Sequence, residues 1–170
     1  MSVDFMNPFL RAVQSVFSAE IGTHIDKGAV TLESTSYAPQ DVTVLISIVG
    51  DIQGIVLYSM GVEMALAMVS RMLGEEKYEF DELAQSGIAE IGNVITGVVT
   101  TYFAEDGYNC SISVPTLVMG KGTMLSTLDF KRTVIPLTTT ICNMSIHIAL
   151  RENFSRGLTN FRKSMRGTSF

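Results

Sequence analysis

The segment DELAQSGIAEIGNVITGVVTTYF, residues 81–103, has the pattern of an amphipathic helix. Asp81 is a suitable N-cap residue, and Glu82 suits the positive end of a helix dipole. At about 100° per residue the large apolar side chains fall on one side, which predicts that the helix packs along a core. The apolar positions are Ala84, Ile88, Ile91, Ile95, Val98, Val99 and Tyr102.

The opposite side of this predicted helix carries one carboxylate and one carboxamide. Glu90 and Asn93 are three residues apart, so both side chains project from the same surface. The residues around them, Ser86, Ala89 and Gly97, are small and leave room for another molecule to approach. We therefore take Glu90 and Asn93 as the first candidates for a functional site.

Apolar, β-branched segments on both sides of the helix predict strands. Residues 42–49 and 54–59 flank Gly50–Gln53 and predict an antiparallel hairpin. Together the predicted elements indicate an α+β fold, a largely antiparallel sheet with helices packed on one face. The further strands are predicted at 110–120, 124–130, 134–139 and 143–150, and the further helices at 3–19 and 62–73.

Two prolines fall inside the predicted strands. Proline cannot donate a hydrogen bond to a strand ladder. Pro115 therefore predicts that its strand lies at an edge, bends there or begins there. Pro136 predicts a further break.

The charge of the chain is unevenly distributed. Residues 151–170 hold five basic residues and one acid, a net charge of +4, which leaves −9 on the other 150 residues. We predict one domain over residues 1–150 and a basic extension over 151–170, most simply a solvated one. Contact of the extension with RNA or lipid is the alternative. The acidic domain argues against a nucleic-acid partner and suits a basic protein surface.

The composition disfavours several classes of protein. Although 46% of the residues are hydrophobic, the longest apolar run, 42–50, has the length of a strand, so no membrane insertion is expected. Cys110 and Cys142 lie far apart without metal-ligand spacing, which favours reduced thiols in a cytoplasmic protein. With two histidines, His24 and His147, in unrelated contexts, a metal site or a His-based triad is poorly supported.

A carboxylate and an amide can perform chemistry without a metal of their own. An amide can hold a water molecule by one donor and one acceptor, while a carboxylate anchors a cationic group on a partner. If the partner supplies Mg²⁺ and a phosphoryl group, positioning of the water is most of the catalysis that is needed. Exposed polar pairs at this spacing are common on helices, so the pair alone does not decide a function.

Short segments, taken in order over about residues 3–150, resemble the CheC/CheX/FliY family of bacterial chemotaxis phosphatases, and its CheX-like members in particular. The active-site signature of that family is an Asp or Ser, three residues, Glu, two residues, Asn, and a later Pro. Ser86, Glu90, Asn93 and Pro115 stand in those places. The segments that carry the resemblance are 4–9 (DFMNPF), 49–54 (VGDIQG), 72–76 (MLGEE), 90–93 (EIGN), 112–115 (ISVP) and 118–122 (VMGKG).

The resemblance implies that the chain hydrolyses the aspartyl phosphate of a CheY-type response regulator. Asn93 would place the attacking water, Glu90 would pair with a lysine of the regulator, and Ser86 and Pro115 would support the site. No cofactor of its own is implied, because Mg²⁺ would belong to the regulator. The resemblance to CheX-like members implies a homodimer. Since the first predicted helix contains no Glu-x-x-Asn, one site per chain is expected.

The alternative is a non-catalytic module that binds a response regulator or forms a structural part of a flagellar switch. In that case Glu90 and Asn93 would be only a recognition surface. The intact Glu-x-x-Asn sequence argues against this alternative. The two functions differ in whether the chain shortens the lifetime of a phosphorylated regulator or merely binds it.

Overall fold

The computed structural model describes residues 4–34, 36–120, 122–127, 131–140 and 143–153. Within these residues there are three α-helices, α1 (Met6–Val16), α2 (Val62–Leu73) and α3 (Glu82–Glu105), and a π-helical segment, Phe17–Ile21, continues α1. The ten strands are β1 (Ile25–Lys27), β2 (Thr31–Glu33), β3 (Ser36–Tyr37), β4 (Val42–Gly50), β5 (Ile52–Met60), β6 (Cys110–Ile112), β7 (Thr116–Met119), β8 (Leu125–Ser126), β9 (Arg132–Thr139) and β10 (Asn143–Glu152).

Eight of the described strands form one antiparallel sheet. Six of them lie side by side in the order β1, β9, β10, β5, β4, β6, and β2 and β7 are the other two. Its centre consists of the long strands β9, β10, β5 and β4. Each outer side of this centre is completed by two short strands, because β1 and β2 both pair with β9, and β6 and β7 both pair with β4. β3 and β8 pair separately as a two-stranded ribbon.

The helices cover one face of the sheet, and the core lies between the two layers. α3 packs on β4 and also contacts α1 and α2. Phe103 of α3 meets Phe5 and Phe9 edge to face, with ring centroids 6.3 and 6.5 Å apart. The predicted α+β fold with helices on one face is therefore confirmed. The alternating positions of β4 that face the helices are all buried: Val42, Val44, Ile46 and Ile48.

The hairpin of β4 and β5 has longer strands than predicted. Pairing between the two strands ends at Ile48 and Gly54. Gly50 stays in β4 because it pairs with β6, and Ile52 stays in β5 because it pairs with β10. The predicted turn at Gly50–Gln53 was wrong in extent, because the strands that hold these residues are remote in sequence.

The two strand prolines have different outcomes. β7 begins directly after Pro115 and pairs with β4 at the edge of the sheet, as predicted. Pro136 lies within the unbroken β9, so the predicted break there was wrong. Its carbonyl accepts a hydrogen bond from the N–H of Gly28 at 2.8 Å. The backbone polar groups of Pro136 therefore point away from β10, toward the gap between β1 and β2. No ladder donor is required at that interruption, so proline is tolerated.

Several predictions fall partly outside the described residues. Cys110 is a half-buried free thiol whose pKa is raised by burial, whereas Cys142 lies outside the described residues. Of the strand predicted at 124–130, only Leu125–Ser126 is a strand, and residues 128–130 are not described. Residues 154–170 of the predicted extension are also not described. No helix in the described part of the chain is long and apolar enough to cross a membrane.

Candidate functional site

The helix that carries the candidate pair begins at a capped N-terminus. Oδ1 of Asp81 accepts a hydrogen bond from the N–H of Ala84 at 2.9 Å, and Nζ of Lys77 donates to Oδ2 at 2.7 Å. The bond from Lys77, and then the bond from Ala84, lower the pKa of Asp81. The cap is therefore a carboxylate at neutral pH and fixes where the first turn of α3 starts.

α3 packs directly on the sheet at Gly92, the residue before Asn93. A Cβ placed on Gly92 would lie 2.9 Å from Cγ1 of Val44 and 3.4 Å from Cδ2 of Tyr58. Both neighbours are buried residues of the central strands. The missing side chain therefore sets the height of this turn above the sheet.

Glu90 and Asn93 lie together on the side of α3 that faces away from the core. Nδ2 of Asn93 donates to Oε2 of Glu90 at 3.4 Å, which is a long hydrogen bond. Glu90 is exposed and Asn93 is half-buried. Beyond this bond the carboxamide has an acceptor oxygen and a second N–H, and the carboxylate has a second oxygen. The pair can thus bind both a water molecule and a cationic group at one place.

Two exposed apolar side chains lie on α3 before and after the pair, Leu83 about two turns before Glu90 and Val94 directly after Asn93. Leu83 is 52% exposed and Val94 is 36% exposed. The prediction that small residues surround the pair was therefore incomplete. Polar groups flanked by exposed apolar side chains suit a protein surface as the binding partner better than a small polar solute.

The two supporting residues predicted from the sequence have different positions. Ser86 lies one turn before Glu90 on the same exposed side of α3. Pro115 lies in the loop between β6 and β7, and both of these strands contact α3. Ser113 anchors that loop, because its N–H donates to the carbonyl of Ser47 and its Oγ accepts from the N–H of Ser47. The structure thus groups Ser86 with the pair and places Pro115 on a neighbouring element.

Within the described residues, no group of three or more His, Cys, Asp or Glu side chains is placed to hold a metal ion. At the α3 surface Glu90 supplies one carboxylate and Asn93 one amide oxygen.

A second cluster of polar residues lies on the other face of the sheet. Arg132 of β9 is fully buried, and its Nη2 donates to Oε2 of Glu33 at 2.8 Å. Its Nε donates to Nδ1 of His147 at 3.0 Å, and its guanidinium stacks on the ring of Tyr37 at 4.2 Å. Tyr37 also stacks on His147, with ring centroids 4.3 Å apart. We call Arg132, Glu33, His147 and Tyr37 the arginine cluster.

The arginine cluster holds His147 in its neutral form. Because Nδ1 accepts from Arg132, the ring proton belongs on Nε2, which lies 2.9 Å from Oγ of Ser145. Burial, and then the charge of Arg132, lower the pKa of His147 to about 4. The sequence did not indicate this cluster, because its members come from four different strands.

Two comparisons decide the family of the chain. The family model described as chemotaxis phosphatase CheX matches residues 42–138, which is more than half of the chain. The CheY-P phosphatase CheX of Thermotoga maritima is 31% identical over 122 residues, which are 71% of this chain and 79% of that protein. The chain belongs to the CheX family of chemotaxis phosphatases. The resemblance noted in the sequence is thereby confirmed.

Solved structures of the CheX family share the fold. The chemotaxis protein CheX of Vibrio vulnificus is 25% identical, with a TM-score of 0.79 over 88% of this chain and 100% of that one. A chain of the CheX–CheY–BeF3–Mg²⁺ complex of Borrelia burgdorferi is also 25% identical, with a TM-score of 0.72 over 88% of this chain and 99% of that one.

Proposed function

We propose that this chain hydrolyses the aspartyl phosphate of a CheY-type receiver domain in chemotaxis signalling. The single observation that carries the proposal is the Glu90–Asn93 pair, exposed on α3 of a CheX-family chain. The name of the Thermotoga relative as a CheY-P phosphatase and the CheX–CheY complex of Borrelia support the same partner.

The proposed role of Asn93 is to position water. The carboxamide would accept from the water through its oxygen and donate to it through Nδ2, so that a water lone pair faces phosphorus. The new O–P bond forms as the bond from phosphorus to the aspartyl oxygen breaks. The aspartate leaves as a carboxylate and so needs no acid, and the water proton passes to the phosphate product or to solvent. When bound to the receiver domain, Mg²⁺ would stabilise negative charge on the phosphoryl oxygens.

The proposed role of Glu90 is to dock the receiver domain. Its exposed carboxylate would pair with a lysine ammonium at the phosphorylation site of the receiver, a charge-assisted contact that brings Asn93 to the phosphorus. Leu83, about two turns before Glu90, and Val94, about one turn after it, would cover apolar surface of the receiver around this contact. Ser86 and Pro115 would support the same docking surface.

The remaining parts of the proposal concern the whole protein. We propose a cytoplasmic homodimer with one site per chain, a phosphatase domain over residues 1–150 and a basic extension over 151–170, of which Arg151 and Glu152 still pair with β5 at the end of β10. The part of the extension beyond β10 is not needed for hydrolysis. The Mg²⁺ is expected on the receiver domain. Removal of residues 154–170 should therefore leave the phosphatase rate unchanged.

The test is the decay of a phosphorylated receiver domain in the presence of Mg²⁺, with and without this protein. We expect acceleration by the wild-type chain and a loss of about 100-fold in kcat for Asn93→Ala, because the water is no longer held in line. Binding to a receiver carrying beryllofluoride, a mimic of the phosphoryl group, should change by less than about three-fold for Asn93→Ala.

Glu90→Gln separates docking from chemistry. Loss of a charge-assisted contact should weaken binding of the beryllofluoride-loaded receiver about ten-fold or more. Glu105→Gln, which removes another exposed carboxylate from the far end of α3, is the matched control and should bind as the wild type does. Hydrolysis by Asn93→Ala at the wild-type rate would refute the assignment. Tight binding without accelerated decay would establish the binding-module alternative instead.

A further inference from the structure

Two buried hydroxyl groups connect the sheet to the turn of α3 that carries Asn93. Oη of Tyr58, on β5, lies 2.8 Å from Oγ1 of Thr96, on α3. Oγ1 of Thr96 donates in turn to the carbonyl oxygen of Gly92 at 2.7 Å. Tyr58 is 1% exposed and Thr96 is fully buried. A continuous hydrogen-bonded path therefore runs from a central strand to the residue that precedes Asn93.

The direction of this path is fixed by the hydrogens available. The hydroxyl proton of Thr96 is committed to Gly92, so Tyr58 is the donor to Thr96. Burial raises the pKa of Tyr58 well above its usual value, so the phenol keeps its proton at any pH at which the protein works.

The path controls the peptide plane that leads into Asn93. The carbonyl of Gly92 and the N–H of Asn93 belong to one planar peptide unit, so a bond to that oxygen restrains the tilt of the unit. The same oxygen is the i−4 acceptor of the helix for the N–H of residue 96, and a second bond from a threonine hydroxyl bends the helix locally. The tilt of this peptide unit is therefore set by its hydrogen-bonded connection to β5.

Steric contact with β4 fixes the distance of this turn from the sheet. With 2.9 Å between a Gly92 Cβ position and Cγ1 of Val44, the backbone of α3 rests directly on β4. The glycine sets the height of the turn, and the two hydroxyls set its tilt. Both restraints act one residue away from the proposed water-binding amide, and neither Tyr58 nor Thr96 reaches the exposed surface.

We propose that Tyr58 and Thr96 are positioning residues that hold Asn93 at the height and tilt required for hydrolysis. The proposal rests on the proposed phosphatase function. Neither side chain touches the receiver domain, so their effect is on the chemical step and not on docking. Misplacement of a catalytic group by about 1 Å can cost up to about 100-fold in rate, so small changes in tilt are sufficient.

The decisive variant removes both hydroxyls together, as Tyr58→Phe/Thr96→Val. Loss of both partners leaves no buried polar group unsatisfied, so the thermal midpoint should stay close to that of the wild type. We expect kcat for the phosphorylated receiver to fall about ten-fold, with KM and binding of the beryllofluoride-loaded receiver within about two-fold. Thr96→Val alone strands the Tyr58 hydroxyl and should be the less stable variant.

Thr43→Val is the matched control. Thr43 is also a fully buried threonine, and its Oγ1 donates to Oγ of Ser59 at 3.0 Å, on the face of the sheet away from α3. Its removal should leave kcat unchanged. If Thr43→Val lowered kcat as much as the double variant does, general loosening of the sheet would explain both results and the proposal would be overturned.

Amide hydrogen exchange provides a readout that does not depend on activity. In the double variant the amides of residues 93–97 should exchange about ten-fold faster than in the wild type, while Thr43→Val leaves them unchanged. Unchanged exchange, or faster exchange with an unchanged kcat, would overturn the proposal. If the wild-type chain did not accelerate decay at all, the phosphatase proposal would fail, whereas exchange would still show whether the two hydroxyls hold this turn.

Discussion

The Glu90–Asn93 pair and the arginine cluster use polar side chains in opposite ways. The pair is exposed and is joined by one bond of 3.4 Å, so most of its hydrogen-bonding capacity faces solvent. Arg132 is fully buried, is bonded at 2.8 and 3.0 Å, and is stacked on a tyrosine ring. Polar groups that satisfy one another inside the fold stabilise it, whereas groups left unsatisfied at the surface are available for another molecule.

This contrast gives the two regions different sensitivities. Substitutions in the arginine cluster should change stability and leave the phosphatase rate of the folded protein unchanged. Substitutions of Glu90 or Asn93 should do the reverse. The four predictions that follow compare buried with exposed positions, first in the arginine cluster and then within α3.

Arg132→Met should have the largest effect. The methionine fills part of the space but leaves Nδ1 of His147 without a donor and Glu33 without its cation. We expect the free energy of unfolding to fall by about 3–4 kcal/mol, measured by urea denaturation, because a buried acceptor loses its donor and Tyr37 loses the stacked guanidinium. Arg11→Met is the matched control, because Arg11 also stacks on a tyrosine, Tyr102, at 4.0 Å, but is exposed. That control should cost less than about 1 kcal/mol, and equal losses would contradict the role of burial.

Acid should act on the arginine cluster through His147. In the unfolded chain the imidazole takes up its proton near pH 6.5, whereas in the folded protein its pKa is about 4. Between these values the unfolded state binds more protons, so stability falls as the pH is lowered from 6.5 to 4. The loss should reach about 3 kcal/mol. Urea midpoints across this range give the measurement.

His147→Gln is the variant that isolates this pH effect. Glutamine has no titratable proton, so the decrease in stability between pH 6.5 and 4 should become smaller by about the contribution of His147. An unchanged pH profile in the variant would show that another group is responsible. Below pH 4 a further loss of stability is expected from Asp81. Its pKa is lowered in the folded protein, so its stabilising charge is lost only in that range.

Buried and exposed positions can also be compared within α3. Gly92→Ala tests the side of this helix that packs on the sheet. The added methyl would press on Val44, so we expect a loss of about 1 kcal/mol of stability after the gain in helix propensity is included. The displaced turn should also lower the phosphatase rate. Val44→Ala in the same chain creates room for that methyl and should restore part of this rate. Failure of the second substitution to restore any rate would mean that the height of α3 is not what Gly92 controls.

Gly97→Ala tests the exposed side and should have the smallest effect. Apart from its own stretch of helix, a Cβ on Gly97 meets no atom within 4 Å, so the substitution only improves helix propensity. We expect a gain of about 0.5–1 kcal/mol in the free energy of unfolding. Thermal denaturation of both alanine variants side by side gives the comparison. A loss of stability for Gly97→Ala would contradict the open space around this position.

Sequence patterns predicted what depends on nearby residues. The helical repeat placed α3 and its exposed pair correctly, because Glu90 and Asn93 meet through a spacing of three within one helix. The cap of Asp81 on Ala84 was predictable for the same reason. Belonging to the CheX family was also predictable from short ordered segments, while the roles of the site residues stay predictions.

Features that depend on remote strands could not be predicted in this way. Pro136 was expected to break a strand, and only the position of Gly28 on a neighbouring segment explains why it does not. The hydroxyl path from Tyr58 to Thr96 and the arginine cluster each join residues from separate elements. The one local indication of the path was a threonine on the apolar side of the helix, Thr96, four residues after Gly92.

The interrupted outer strands of the sheet have a consequence for behaviour at high concentration. β1, β2 and β6 have three residues each and β7 has four, and each pair is separated by a short connection. A foreign strand that approached either side could form only a few backbone bonds before the ladder stopped. Continuous edges are the templates on which chains polymerise into fibrils. The broken edges therefore limit such growth of a strongly apolar chain by their geometry, in addition to the charged side chains that β1 and β2 carry.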